Sequence, residues 1–277
     1  MTQDPPPSPP AADASHPSPG LHRLVTDSLL AGLTRLVPLP LLDDWIHDLL
    51  RKRGAMAIAA AAGVELTDAE ARALGVGVDS WTTGGCLRGC AVAAVTKPFH
   101  FLFKLLFRKV IYRILFFLLV KDCVDAFSRA FHESYLLRHA FAAGHLREVT
   151  GGGERPVPLP TGVDPRVVAV RKAIEEACDG IDTRPVEKLA RSAFAGSRQL
   201  LRTAGRAMVR TLRRLRRRGS DEQTIYHNLE RQGEAELGSL ADRLTAAIGV
   251  ETAYLRRLEE LYESRLAAGR GPTSGAG

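Results

Sequence analysis

The sequence predicts an all-α protein, a multi-helix bundle with a central long hydrophobic helix and a C-terminal helical hairpin. Three observations carry that reading. Apolar residues recur at three- and four-residue spacing along nearly the whole chain, no period-two run is bounded by hairpin turns, and residues that start and stop helices stand at the borders of the periodic segments.

The first residues, MTQDPPPSPPAADASHPSPG, lack the basic start and apolar core of a secretory signal and read as a disordered Pro/Ser tail over 1–20. A helix is expected over 21–36, where Leu24, Leu29, Leu30, Leu33 and Leu36 share helical spacing before Pro38 and Pro40 stop it. The next, over 41–62, has Asp43 and Asp44 in its first turn and Arg51, Lys52 and Arg53 later, an order that complements the helix dipole. Thr67 and Glu70 form a capping-box start, and Gly75 and Gly77 are expected to close that short helix. After a loop over 75–85, Pro98 suits the first turn of a long hydrophobic helix running to Gly144.

The composition of 151–165, GGGERPVPLPTGVDP, is that of a linker. It divides the chain into a hydrophobic helical domain over 21–150 and a basic/acidic helical hairpin domain over 166–270, with a flexible tail over 271–277. Asp164 and Pro165 look like an N-cap and first-turn proline for a helix over 166–178. The remaining helices are expected over 185–218, 220–248 and 251–268. Leu237, Leu240, Leu244 and Ile248, then Leu255, Leu258, Tyr262 and Leu266, supply apolar seams for pairing within the hairpin or in a homodimer.

Two electrostatic features point toward function. Six of the ten phenylalanines fall in 99–120, FHFLFKLLFRKVIYRILFFLLV, among Lys104, Arg108, Lys109 and Arg113. A basic residue at the centre of a spanning helix costs about 2.5 to 3.5 kcal/mol and each large aliphatic or Phe returns only about 0.3 to 0.6, so crossing a bilayer is unfavourable or neutral. An interfacial position, with basic stems snorkelling past inserted Phe101, Phe107, Phe116 and Phe117, suits the mixture better. The charges do not share one stripe: Lys104 and Arg108 fall opposite Lys109 and Arg113. The competing reading is a core helix whose basic residues emerge at the bundle surface.

The second feature lies in 188–220, which holds eleven basic residues and no acidic one. Arg198, Arg202, Arg206, Arg210, Arg214 and Arg218 recur every fourth position, and Arg213, Arg216 and Arg217 thicken the end. Leu201, Met208, Leu212 and Leu215 form another face, giving a basic amphipathic helix. Ten acidic residues follow in 221–263, so an internal neutralisation of this stripe is the alternative to an external anion.

A net charge of +7 and a sequence pI near 9.5 favour polyanionic partners: phospholipid, nucleic acid or acidic protein. Nucleic acid ranks below lipid, because 195–225 has no aromatic for base stacking and no zinc-finger spacing accompanies it. Cys86, Cys90, Cys123 and Cys178, in a long chain without an export signal, suit reduced thiols in the cytoplasm. The preference for Arg over Lys, with much Ala and Gly, is the composition of a GC-rich bacterial genome.

No pattern specifies a reaction. Gly151 to Gly153 lead into Glu154, Arg155 and Pro156 rather than a phosphate-binding lysine, Gly75 and Gly77 lack a third glycine, and no nucleophile elbow is present. Cys86 and Cys90 would share a helical face, but no second cysteine pair has zinc spacing. Asp122, Asp125, Arg129, His132 and His139 share a face, and Asp44, His47 and Asp48 form a similar set, without the Glu-x-x-His pairs of di-iron bundles. They read as a solvated helix flank, or as a pair of Asp125 with Arg129. His132-Glu133 is not followed by His at zinc-hydrolase spacing.

The expectation is therefore a non-enzymatic protein with no catalytic residue, metal, cofactor or small-molecule substrate. It would associate peripherally with the inner face of an anionic membrane through Phe101, Lys104, Phe107, Arg108, Lys109, Arg113, Phe116, Phe117, Arg202, Arg206, Arg210, Arg213, Arg214 and Arg217. The alternatives are a soluble helical protein-interaction module and a nucleic-acid-binding helical protein.

Overall fold

The computed structural model describes residues 19–34, 42–77, 108–146, 163–197, 203, 206–207, 209–211 and 221–269, and every regular element among them is an α-helix. In chain order these are α1 (Pro19–Leu33), α2 (Leu42–Ala61), α3 (Asp68–Val76), α4 (Arg108–Ala142), α5 (Pro165–Gly180), α6 (Arg184–Ala195), α7 (Glu222–Val250) and α8 (Thr252–Gly269). The all-α bundle read from the sequence is the fold observed.

Local chemistry sets the helix starts. Thr67 accepts from the Glu70 amide at 3.3 Å while Glu70 accepts from the Thr67 amide at 2.9 Å, which completes the capping box at α3. Asp164 accepts from the Arg166 amide at 2.7 Å, with Pro165 opening α5. Asp221 caps α7 through the Thr224 amide at 3.4 Å.

Two stops differ from the expected ones. The helix anticipated over 185–218 ends at Ala195: the Gly196 amide returns to the Ser192 carbonyl and the Ser197 amide to Phe194, before helix resumes among the described residues at Thr203, Arg206, Ala207 and 209–211. Phe194 is pinned in the core by an edge contact with Phe127, and glycine adds little to continuing the helix beyond it. Gly75 does not close α3 but lies within it. A β-carbon there would stand 2.6 Å from the Arg51 carbonyl, so glycine admits close approach to α2, and the stop falls to Gly77 at φ 107°.

The long helix α4 is central, packing on α1, α2, α5, α6 and α8. It passes through two apolar clusters. Cys123, Val124, Phe127 and Phe131 join Val25, Leu29 and Leu33 of α1, Val186 and Phe194 of α6, and Leu237, Leu240, Leu244 and Ile248 of α7. One to two turns further on, Leu136, Leu137, Ala140 and Phe141 join Leu74 of α3, Val167, Val170 and Ile174 of α5, and Leu258, Tyr262 and Leu266 of α8. Helices from both sides of 151–165 contribute to each cluster. Only Glu251 separates α7 from α8, and their apolar seams meet only at the start of α8, where Leu255 joins the α7 cluster; beyond it α7 docks on α1 and α6, and Leu258, Tyr262 and Leu266 of α8 turn to the second cluster.

Candidate functional site

The basic face is the first candidate. Phe101, Lys104 and Phe107, with Arg202, Arg213, Arg214 and Arg217, lie outside the described residues, as do Cys86, Cys90 and Pro98. Arg108, Lys109, Arg113, Phe116 and Phe117 lie on the first turns of α4, their side chains outside the described set. Arg206 and Arg210 are described. Both are exposed, while Ala207 is buried and Val209 packs against the first cluster, so the helical turn presents arginine outward and aliphatic carbon inward. Thr211 donates to Gln232 at 2.8 Å and ties this turn to α7. Among the described residues neither arginine has a carboxylate partner.

Five of the ten acidic side chains that the sequence offers for neutralising the stripe have partners on other helices. Glu222 pairs with Lys52 at 2.8 Å, and the same ammonium pairs with Asp68 at 2.8 Å, joining α7, α2 and α3. Glu230 takes Arg23 at 2.8 Å, and Asp242 faces His22 at 3.1 Å. On α8, Glu259 accepts from the Tyr135 hydroxyl at 2.7 Å and Glu263 meets His139 at 2.8 Å. Packing of α7 on α1 and of α8 on α4 directs these carboxylates to those helices, away from Arg206 and Arg210.

The second candidate is a polar layer on α4 between the two apolar clusters. Buried Glu133 accepts from Arg171 Nη1 at 2.8 Å and from Arg129 Nε at 2.9 Å, and it pairs with Arg51. Arg171, itself buried, also donates to Glu175 at 2.6 Å and to the Leu74 carbonyl at 3.0 Å. Burial, with Arg171 and Arg129 close by, pulls the Arg51 guanidinium down to about 9. Beside this group is a cavity of about 30 Å³, room for a water, which Asp27 and Ser28 reach from α1. Burial pushes the Asp27 carboxyl up to about 7 against the pull of Arg23, with Glu230 and Glu234 adding to the rise.

Sequence reasoning missed this layer, although a signal existed. Arg171 stands at a core position of α5, in register with Val167, Ile174 and Cys178, and Glu133 is in register with Ala130, Leu137 and Ala140 on α4. A charge on an apolar stripe implies a buried partner.

On the opposite side of the layer His132 is fully buried. Its Nδ1–H donates to the Ser128 carbonyl at 2.6 Å, which leaves Nε2 as an acceptor for the Tyr254 hydroxyl at 2.5 Å. Burial lowers this imidazole to about 4, so it is neutral. Of the polar set expected on one α4 face, Asp122, Asp125 and Arg129 line an open groove with His47 and Arg51 of α2, while His132 and His139 leave it. Asp122 and Asp125 are exposed, and Arg129 turns to Glu133 and Asp179 rather than to Asp125. His132 points inward and His139 meets α8. Desolvation raises the Asp125 carboxyl, with Glu187 the next cause. His47 has Asp48 at 3.8 Å.

Among the described residues no group of three His, Cys, Asp or Glu is arranged to hold a metal ion. The Cys178 thiol is pushed up to about 12 by burial, which disfavours the nucleophilic thiolate.

Fold and sites together define a helical bundle with a buried charged layer and an outward basic face. Compared with protein-family models, curated proteins and solved structures, the chain matches none.

Proposed function

We propose that this protein associates peripherally with anionic lipid surfaces at the cytoplasmic face of a membrane, through the arginine-rich face and the Phe-rich basic start of α4. The observation that carries the reading is the exposure of Arg206 and Arg210 without a carboxylate partner among the described residues, while acidic side chains of α7 and α8 are tied to α1, α2 and α4. Each basic residue near an anionic surface contributes about 1 kcal/mol, so a stripe of several gives useful adsorption, and an apolar element beside it supplies the second signal that peripheral anchoring needs. No helix among the described residues is long and apolar enough to cross a membrane. The continuity of α4 supports a linkage between the two parts: its 35 residues span about 50 Å, with Phe116 and Phe117 on its early turns and core residues on its later ones.

Vesicle flotation tests the reading. Binding is expected to be weak on phosphatidylcholine, to rise as phosphatidylglycerol is added, and to fall as salt is raised. Indifference to lipid charge overturns it. Retention of duplex DNA at low salt with no vesicle binding assigns the basic face to nucleic acid instead.

A further inference from the structure

Along the contact between α4 and α8 the polar groups come in two sets, one without a carboxylate on the imidazole and one with carboxylates beside it. Toward the start of α8, neutral His132 accepts from Tyr254, its other nitrogen already committed to the Ser128 carbonyl. Farther along, His139 lies 2.8 Å from Glu263 and 3.6 Å from Glu259. His145 lies 3.5 Å from Glu263 and 3.0 Å from the Tyr262 hydroxyl. Tyr135 donates to Glu259 at 2.7 Å. Tyr254 and Glu263 are separated by about 13 Å of helix.

We propose that this contact is an acid-responsive clasp, in which protonation frees the Tyr254 end of α8 from α4 while the Glu263 end holds. A second proton on His132 turns Nε2 into a donor, so the Tyr254 hydroxyl can no longer donate to it and must rotate to accept, and a cation is left inside the bundle, where burial disfavours it. The charged groups around it offset that burial only in part. Glu187 of α6 favours the cation but is shared with Thr183 at 2.5 Å and Arg191 at 3.3 Å, and Arg51 of α2 and Arg171 of α5 are turned to Glu133. Desolvation keeps the Tyr254 hydroxyl protonated. At the other end His139 and His145 both face Glu263, and these contacts do not pass through His132.

The sign follows from linkage. A histidine depressed to about 4 in the fold, against about 6.5 when released, stabilises the closed contact fully above pH 6.5 and loses that contribution as pH falls toward 4. At pH 5 the opening equilibrium at this end should rise about tenfold or more over pH 7.5.

Amide hydrogen exchange of the full chain at pH 7.5 and 5, corrected for intrinsic exchange, reads this directly, with histidine ring titration by NMR alongside. The expected result is an opening of about tenfold or more confined to 252–258, with 259–266 retained, no titration of His132 down to pH 5, and loss of the pH difference in His132→Gln, whose amide keeps a donor and an acceptor. Uniform change along α8, or a His132 ring that titrates near 6.5 with its Tyr254 contact intact, overturns the clasp. The ring titration needs no variant, so the proposal stays testable if His132→Gln does not fold.

Discussion

Arg171 on α5 places Nη1 2.8 Å from Glu133 of α4 and 3.0 Å from the Leu74 carbonyl at the end of α3. One guanidinium thus ties three helices at the level where the two apolar clusters meet, and Arg51 adds a fourth helix through the same carboxylate.

Removing that carboxylate leaves the buried Arg171 and the half-buried Arg51 guanidinium groups without the anion they share. Glu133→Ala is expected to lower unfolding free energy by about 3 to 5 kcal/mol, the usual cost of stranding a buried charge. Urea denaturation followed by circular dichroism measures it; a shift below about 1 kcal/mol would show that the pair is solvated.

Asp27 makes the opposite contribution. Its folded pKa is about 7 against about 3.8 when unfolded, so between those values the folded state holds the extra proton and stability declines as pH rises through 7. Asp27→Asn should therefore stabilise the protein at pH 8 by about 1 to 2 kcal/mol, and the gain should vanish near pH 4. Thermal melts of both proteins across that range decide it, and a gain independent of pH refutes the assignment.

Gly75→Ala tests the close approach of α3 to α2. In an open helix alanine would stabilise, but here its methyl meets the Arg51 carbonyl at 2.6 Å, so a loss of about 1 to 3 kcal/mol is expected. The sign of the change in melting temperature separates the two outcomes.

The exposed arginines carry a functional prediction. Arg206→Gln with Arg210→Gln should weaken binding to acidic vesicles by about tenfold or more, at about 1 kcal/mol per charge, and flatten its salt dependence while leaving the melting temperature unchanged. Co-sedimentation over a salt series measures it, and unaltered binding would remove these two residues from the contact.

What was legible in the sequence was local. The α3 capping box, the Asp164 and Pro165 start of α5 and the helical spacing of Leu24, Leu29 and Leu33 act within one or two turns, so neighbouring residues suffice to predict them. The basic stripe was equally visible as a spacing of four. Which carboxylates answer which bases was not. Glu133 and Arg171 are 38 residues apart and Tyr135 and Glu259 are 124 apart, and nothing between them encodes the meeting. The sequence by itself determined the all-helical class, the starts of α3 and α5 and the excess of positive charge, but not where the helix after Pro185 stops. Only the tertiary structure decided that Glu222, Glu230 and Asp242 of α7 and Glu259 and Glu263 of α8 serve α1, α2 and α4, because a charge takes its partner from whatever helix the apolar seams bring alongside it.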